Sequence, residues 1–169
     1  MGNNWASNIF LLVTLVLVQG LVCNNIMLFN VAMAFVFIYL IIRLPMDLNP
    51  NILLTMAFIS GLLVDMFADT PGVNALSCTI LAMLKRPAFY AYVPRDDRTK
   101  SISPSISTLG FSDYAKYLLS MSAIYCVLVF TIEYFNLADV KEIVIMTASS
   151  AALTFLTLLG VDCLVSRKR

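Results

Sequence analysis

The chain has 169 residues, of which 60% are hydrophobic and 12% are charged, and its net charge is +1. Soluble domains are about 45–50% apolar and about 25% charged, so this composition excludes an ordinary soluble domain and indicates an integral membrane protein. Histidine is absent, and the four cysteines form no C-x-x-C pattern. The commonest general base and metal ligand are therefore missing, and we predict a non-enzymatic protein with no cofactor and no metal.

Apolar stretches follow one another along the whole chain, at residues 5–22, 26–44, 51–67, 72–84, 113–135 and 140–165. A membrane-spanning helix needs about 20 mainly apolar residues. The fourth stretch is short for a crossing, because Lys85, Arg86 and Pro87 interrupt it. It either ends at Leu84 or continues to Tyr92 with its two basic side chains reaching the interface. No charge lies in the middle of a predicted helix, which disfavours a pump or an ion-coupled transporter.

The distribution of basic residues decides between five and six crossings. With six crossings and both termini in the cytoplasm, ten of the eleven Lys and Arg residues lie inside and only Lys141 lies outside. This is the asymmetry that the positive-inside rule requires. We therefore predict an all-α membrane protein, a single domain over residues 1–169, built as a six-helix bundle with cytoplasmic N and C termini. Residues 85–112 form its cytoplasmic loop, whose small basic patch predicts no nucleic acid partner.

Two carboxylates lie where the third predicted helix ends. Asp65 and Asp69 are four residues apart and share one face if the helix continues that far. They predict either a polar site at the outer end, which binds a partner or ligand, or interfacial carboxylates that help the chain to turn.

The sixth predicted helix carries small residues four positions apart. Ala148 and Ala152 form a small-xxx-small pattern, which lets two helix backbones approach closely. The pattern is compatible with packing inside the bundle and with a docking face for a partner helix.

Residues 60–75 read SGLLVDMFADTPGVNA. This stretch resembles the signature of the bacterial rod shape-determining MreD family: G-L, two hydrophobic residues, D, a hydrophobic residue, then F-x-D-T-x-G. In that family a helix rich in small residues follows and ends in R-P, as at Arg86 and Pro87 here. Residues 104–111 and Glu133 are similar to the Bacteroidetes-like branch. Asn74 stands where many members carry histidine.

The resemblance implies a multi-pass protein of the bacterial inner (cytoplasmic) membrane that helps to maintain cell shape by organising peptidoglycan synthesis in the elongation (rod) complex. The implied partners are an MreC-like bitopic protein, MreB, RodA and penicillin-binding protein 2, besides the lipid bilayer. It also implies the fold of the substrate-binding component of energy-coupling factor transporters. That fold leaves one alternative, a small-molecule-binding bundle similar to a vitamin transporter subunit. The candidate partner-binding residues are Asp65, Asp69, Gly61, Gly72, Asn74, Ala148 and Ala152.

Overall fold

A computed structural model describes residues 14–17, 19–20, 33–92, 104–134 and 140–167, and over these ranges the regular structure is helical. The helices are α1 (Ile38–Arg43), α2 (Pro50–Ala68), α3 (Val73–Tyr92), α4 (Ile106–Leu109), α5 (Phe111–Glu133) and α6 (Val140–Arg167). Residues 14–17 are also helical. Most of the first predicted helix, residues 5–22, lies outside the described residues, as do residues 93–103 of the predicted loop.

Three helices are long and apolar enough to cross a membrane: Pro50–Ala68, Phe111–Glu133 and the Ile143–Cys163 part of α6. Large apolar side chains cover their outer surfaces; Met66 is 77% exposed and Leu156 is 65% exposed. Such continuous apolar exposure is unfavourable in water and is the ordinary surface of a helix in lipid. The chain is therefore a helical membrane protein.

The helices pack in the order α2, α3, α5, α6, with α1 against α3 and α5. Asn74 at the start of α3 contacts Tyr125 late in α5, whereas Phe89 near the end of α3 contacts Tyr117 early in α5. α3 and α5 are therefore antiparallel. We call the end of the bundle at the α2–α3 turn the hairpin end, and the opposite end, where α1 ends and α5 begins, the Arg43 end.

α3 runs through Pro87 to Tyr92 without a break. The sequence left open whether this helix ends at Leu84 or continues to Tyr92, and the structure shows that it continues. The predicted loop at 85–112 therefore begins too early. The extra turns are held by packing, because Phe89 is buried and its ring meets Tyr117 edge to face at 5.6 Å. This packing outweighs the loss of one backbone hydrogen bond at the proline.

Lys85 is fully buried inside α3 and does not reach the interface, contrary to the expectation for a continued helix. Its Nζ donates to the carbonyl of Leu44 at 2.5 Å. Arg86 donates to the carbonyls of Met46 and Leu48 at 3.1 and 2.7 Å. The two basic residues therefore hold the connection between α1 and α2 in place, and α3 carries an ionisable side chain in its interior.

The second predicted helix, residues 26–44, is wrong as a continuous helix. Among its described residues, only α1 is helical, and residues 33–36 have no regular structure. Gln19 supports this irregular backbone from one side: its Oε1 accepts from Val36 N at 2.8 Å and its Nε2 donates to Ala34 O at 3.0 Å. We call residues 33–37 the unwound segment.

α6 supports the same backbone from the other side. Ser150 Oγ accepts from Met33 N at 3.0 Å, and Thr154 Oγ1 accepts from Phe35 N at 3.1 Å. A non-helical backbone inside a membrane protein needs such partners, because lipid offers none. Hydropathy measures only apolarity, so it predicted a helix where side chains from elsewhere replace the helical hydrogen bonds.

Candidate functional site at the hairpin end

Asp65 is the centre of a hydrogen-bonded cluster at the hairpin end. Its Oδ1 accepts from Thr70 Oγ1, Asn74 N and Asn74 Nδ2 at 2.8, 2.9 and 3.0 Å. Its Oδ2 accepts from Ala75 N at 2.9 Å. A carboxylate from α2 thus caps the first turn of α3, where free N–H groups and the helix dipole favour a negative charge. Four donors bind this buried carboxylate, so the role of Asp65 is to stabilise the fold.

Gly61 allows α2 and α3 to come together beside this cap. A Cβ at this position would lie 2.5 Å from Ala75 Cα and 2.6 Å from Asn74 O. These distances are shorter than any van der Waals contact, and the atoms are backbone atoms that cannot turn aside. Glycine is therefore required for the approach that lets Asp65 reach the N–H groups of α3.

The turn between the two helices contains two left-handed residues. Asp69 ends α2 with a φ of 57°, and Gly72 precedes α3 with a φ of 82°. Gly72 N donates to Thr70 O at 2.8 Å, which closes the turn. Because α2 ends at Ala68, Asp69 does not continue the helical face of Asp65, and its side chain is exposed whereas that of Asp65 is buried.

Asn74 links the cluster to α5. The Tyr125 hydroxyl donates to Asn74 Oδ1 at 2.6 Å, while Asn74 Nδ2 donates to Asp65 and, at 3.2 Å, to Thr70 Oγ1. The amide thus acts as donor and acceptor at once, which requires no ionisable group. The ring of Tyr125 meets that of Phe35 at 5.1 Å in an edge-on contact. Tyr125 was not predicted, because a tyrosine within an apolar helix gives no sign of its partner.

A shallow open groove of about 430 Å³ lies on the outer side of the hairpin. Its walls are mainly apolar, and Asp69 provides an exposed carboxylate on its rim. The residues that line it are Leu62, Asp65, Met66, Asp69, Thr70, Pro71 and Gly72. Of the predicted residues, the structure thus brings Gly61, Asp65, Asp69, Gly72 and Asn74 together at one place.

Ala148 and Ala152 are not part of this cluster. Both are exposed on the outer face of α6, and the opposite face carries the buried Ser150 and Thr154. Because both alanines are exposed, they do not pack against the described helices of the bundle. A face for lipid or for another helix remains.

A second polar cluster, at the Arg43 end, was missed by the sequence interpretation. Asp162 is fully buried in α6 and forms an ion pair with Arg43 at 3.1 Å. It also accepts from the Tyr39 hydroxyl at 2.7 Å and from Ile106 N at 3.3 Å. Tyr39 in turn accepts a hydrogen bond from Arg43. Asp162 thereby joins α1, α4 and α6.

One pattern in the sequence could have revealed this cluster. Ser150, Thr154, Leu158 and Asp162 follow one another at intervals of four residues and are all fully buried. Residues four apart lie on one face of a helix. Three polar residues on one line of an apolar helix indicate a polar partner, which here is the unwound segment and α1.

Comparison with models of known protein families gives no match, and neither the curated proteins nor the solved structures include a significant one. The resemblance to the MreD family therefore depends on the residues that carry it, chiefly residues 60–75.

Proposed function

We propose that this protein is a non-enzymatic scaffold of the bacterial elongation complex, which helps to maintain cell shape by organising peptidoglycan synthesis. One observation supports this most: the residues shared with the MreD signature form one structural unit. Gly61 permits the close approach of α2 and α3, Asp65 and Thr70 form the cap, and Gly72 completes the turn. Four residues of the signature thus serve one geometry, which supports the proposal that this hairpin is shared with that family.

The proposed orientation is a six-helix bundle in the inner membrane with both termini in the cytoplasm. The charges of the described part agree with it. Arg43, Lys85 and Arg86 lie at one end of the bundle, while the exposed Asp69 lies at the other. With the positive-inside rule, this charge distribution supports a periplasmic hairpin end.

The groove at the hairpin is the proposed docking surface. It combines the exposed apolar side chains of Leu62 and Met66 with the carboxylate of Asp69, and it sits on a turn that internal hydrogen bonds hold in place. A preformed surface of this kind binds with little loss of conformational freedom. Its proposed partner is an MreC-like bitopic protein, through which MreB, RodA and penicillin-binding protein 2 join the complex.

Depletion of the protein in its own host, followed by microscopy, tests the function. We expect rods to become round, and re-expression of the natural chain should restore the rod shape. A photo-reactive residue placed at Met66 should cross-link the bitopic partner, whereas one at Met83, which is exposed on α3 towards the Arg43 end, should not. Cells that remain rod-shaped after depletion would overturn the proposal.

The alternative, a small-molecule-binding bundle, predicts a closed pocket lined by convergent polar groups. At the hairpin end the groove is open, and the polar groups behind it are bonded to one another. No observation there favours a bound small molecule, so the scaffold is the function that we retain.

A further inference from the structure

A continuous series of contacts joins the hairpin end to the Arg43 end. Asn74 donates to Asp65 and accepts from the Tyr125 hydroxyl. The Tyr125 ring packs edge-on against Phe35 at 5.1 Å and Phe37 at 5.8 Å. The last two residues belong to the unwound segment. The hairpin cluster is therefore linked to the irregular part of the backbone through the contacts of Tyr125.

The series continues beyond the unwound segment. α1 follows it directly, and its Tyr39 and Arg43 bind Asp162 at 2.7 and 3.1 Å. Asp162 also accepts from Ile106 N, at the start of the segment that leads through Gly110 into α5. A displacement of α1 along its axis must therefore change the contacts of Asp162. These include the hydrogen bond from Ile106 N, which attaches α4 to α6.

Local sequence and tertiary contacts favour different conformations of the unwound segment. Residues 31–44 contain no glycine and no proline, and apart from Arg43 they are a continuous apolar stretch. In lipid such a stretch is most stable as a helix, because a helix satisfies its own backbone groups. Here Gln19, Ser150 and Thr154 satisfy those groups instead. Two conformations with satisfied backbones are thus available to the same residues, which is the property of a bistable element.

We propose that residues 33–37 are a conformational coupling element that transmits the state of the hairpin to the Arg43 end. When a partner displaces the first turn of α3, Asn74 and Tyr125 shift and the packing on Phe35 loosens. The segment then rewinds into a helix. Because a helix advances only about 1.5 Å per residue, rewinding draws α1 away from Asp162. Only the identity of the partner depends on the proposed function; the coupling is a property of the bundle.

Hydrogen exchange measured by mass spectrometry on the full chain in lipid nanodiscs tests the coupling. Tyr125→Phe keeps the ring and removes the hydroxyl that donates to Asn74. We expect the amides of residues 104–110 to exchange about tenfold faster, the effect of losing about one hydrogen bond, because rewinding draws α1 away from Asp162. The amides of residues 33–37 should stay protected, because the rewound helix satisfies them. Tyr92→Phe, a partly buried tyrosine at the other end of α3, is the matched control and should leave both regions unchanged.

A second variant tests the same link from the opposite side. Thr154→Val removes the acceptor for Phe35 N with little change of shape. Since coupling is reciprocal, amides at the start of α3, residues 73–78, should also exchange faster. If each variant changes exchange only beside its own position, the proposal is overturned. The result is independent of cell shape, so the coupling and the scaffold function can fail separately.

Discussion

Asp162 and Arg43 form an ion pair of 3.1 Å between residues 119 positions apart, with the aspartate side chain buried and the arginine side chain 20% exposed. The pair closes the Arg43 end of the bundle. It joins α1, which follows the unwound segment, to α6, which bonds to the backbone of that segment. Both charges are largely removed from solvent, so each depends on the other.

Removal of one partner of this pair should be strongly destabilising. We expect Asp162→Asn or Arg43→Gln to lower the free energy of unfolding by about 3–5 kcal/mol, because the remaining buried charge loses its counterion. The double variant should lose less than the sum of the two. Unfolding titrations in mixed micelles measure these differences. Asp113 and Lys116, an exposed pair at 3.2 Å, provide the control, and their replacement should change stability by no more than about 1 kcal/mol.

The close approach of α2 and α3 gives a prediction at Gly61. Gly61→Ala adds a methyl group 2.5 Å from the backbone of Ala75, so the helices must separate. We expect a loss of about 1–3 kcal/mol, the usual range for overpacking. Gly160→Ala is the matched control, because nothing lies within 4 Å of the added Cβ. That change should stabilise α6 by up to about 1 kcal/mol. Equal effects of the two changes, measured by the same titration, would contradict this account of Gly61.

The cap on α3 distinguishes the two aspartates of the hairpin. In Asp65→Asn one carboxylate oxygen becomes an NH₂ group, which accepts no hydrogen bond, so either the donors of Asn74 or Ala75 N lose their acceptor. The expected loss is about 1–3 kcal/mol, the range for a buried donor left without a partner. Asp69→Asn should change stability by less than about 0.5 kcal/mol, because this side chain is exposed. In cells, Asp69→Asn should reduce cross-linking of the partner at Met66 more than Asp65→Asn does, because the proposed partner contacts the exposed charge of Asp69.

The continuous apolar helices could be predicted from the sequence because their signal is local. Pro50–Ala68 and Phe111–Glu133 differ by one or two residues from the predicted 51–67 and 113–135. The sequence offered Gly61, Asp65, Gly72 and Asn74 as candidates for partner binding, and spacing alone could not show that Asp65 caps another helix. The conformation of residues 33–37 could not be predicted, since it depends on Ser150, 117 positions away from Met33. The partners of Asp162 on α1 and α4 are equally distant in sequence, but its place on the polar line of Ser150 and Thr154 is a local signal that could have been recognised.

The polar face of α6 allows the support of the unwound segment to be tested directly. Thr154→Val leaves the buried Phe35 N without its acceptor, and Ser150→Ala removes the acceptor of the partly buried Met33 N. Each change should lower the free energy of unfolding by about 1–3 kcal/mol. Thr157→Val is the matched control, because Thr157 bonds only to carbonyls of its own helix, at Leu153 and Thr154. Those carbonyls keep their helical partners, so the control should change stability by less than about 0.5 kcal/mol. If Thr154→Val were as neutral as Thr157→Val, the side chain of Thr154 would not hold the segment in its unwound form.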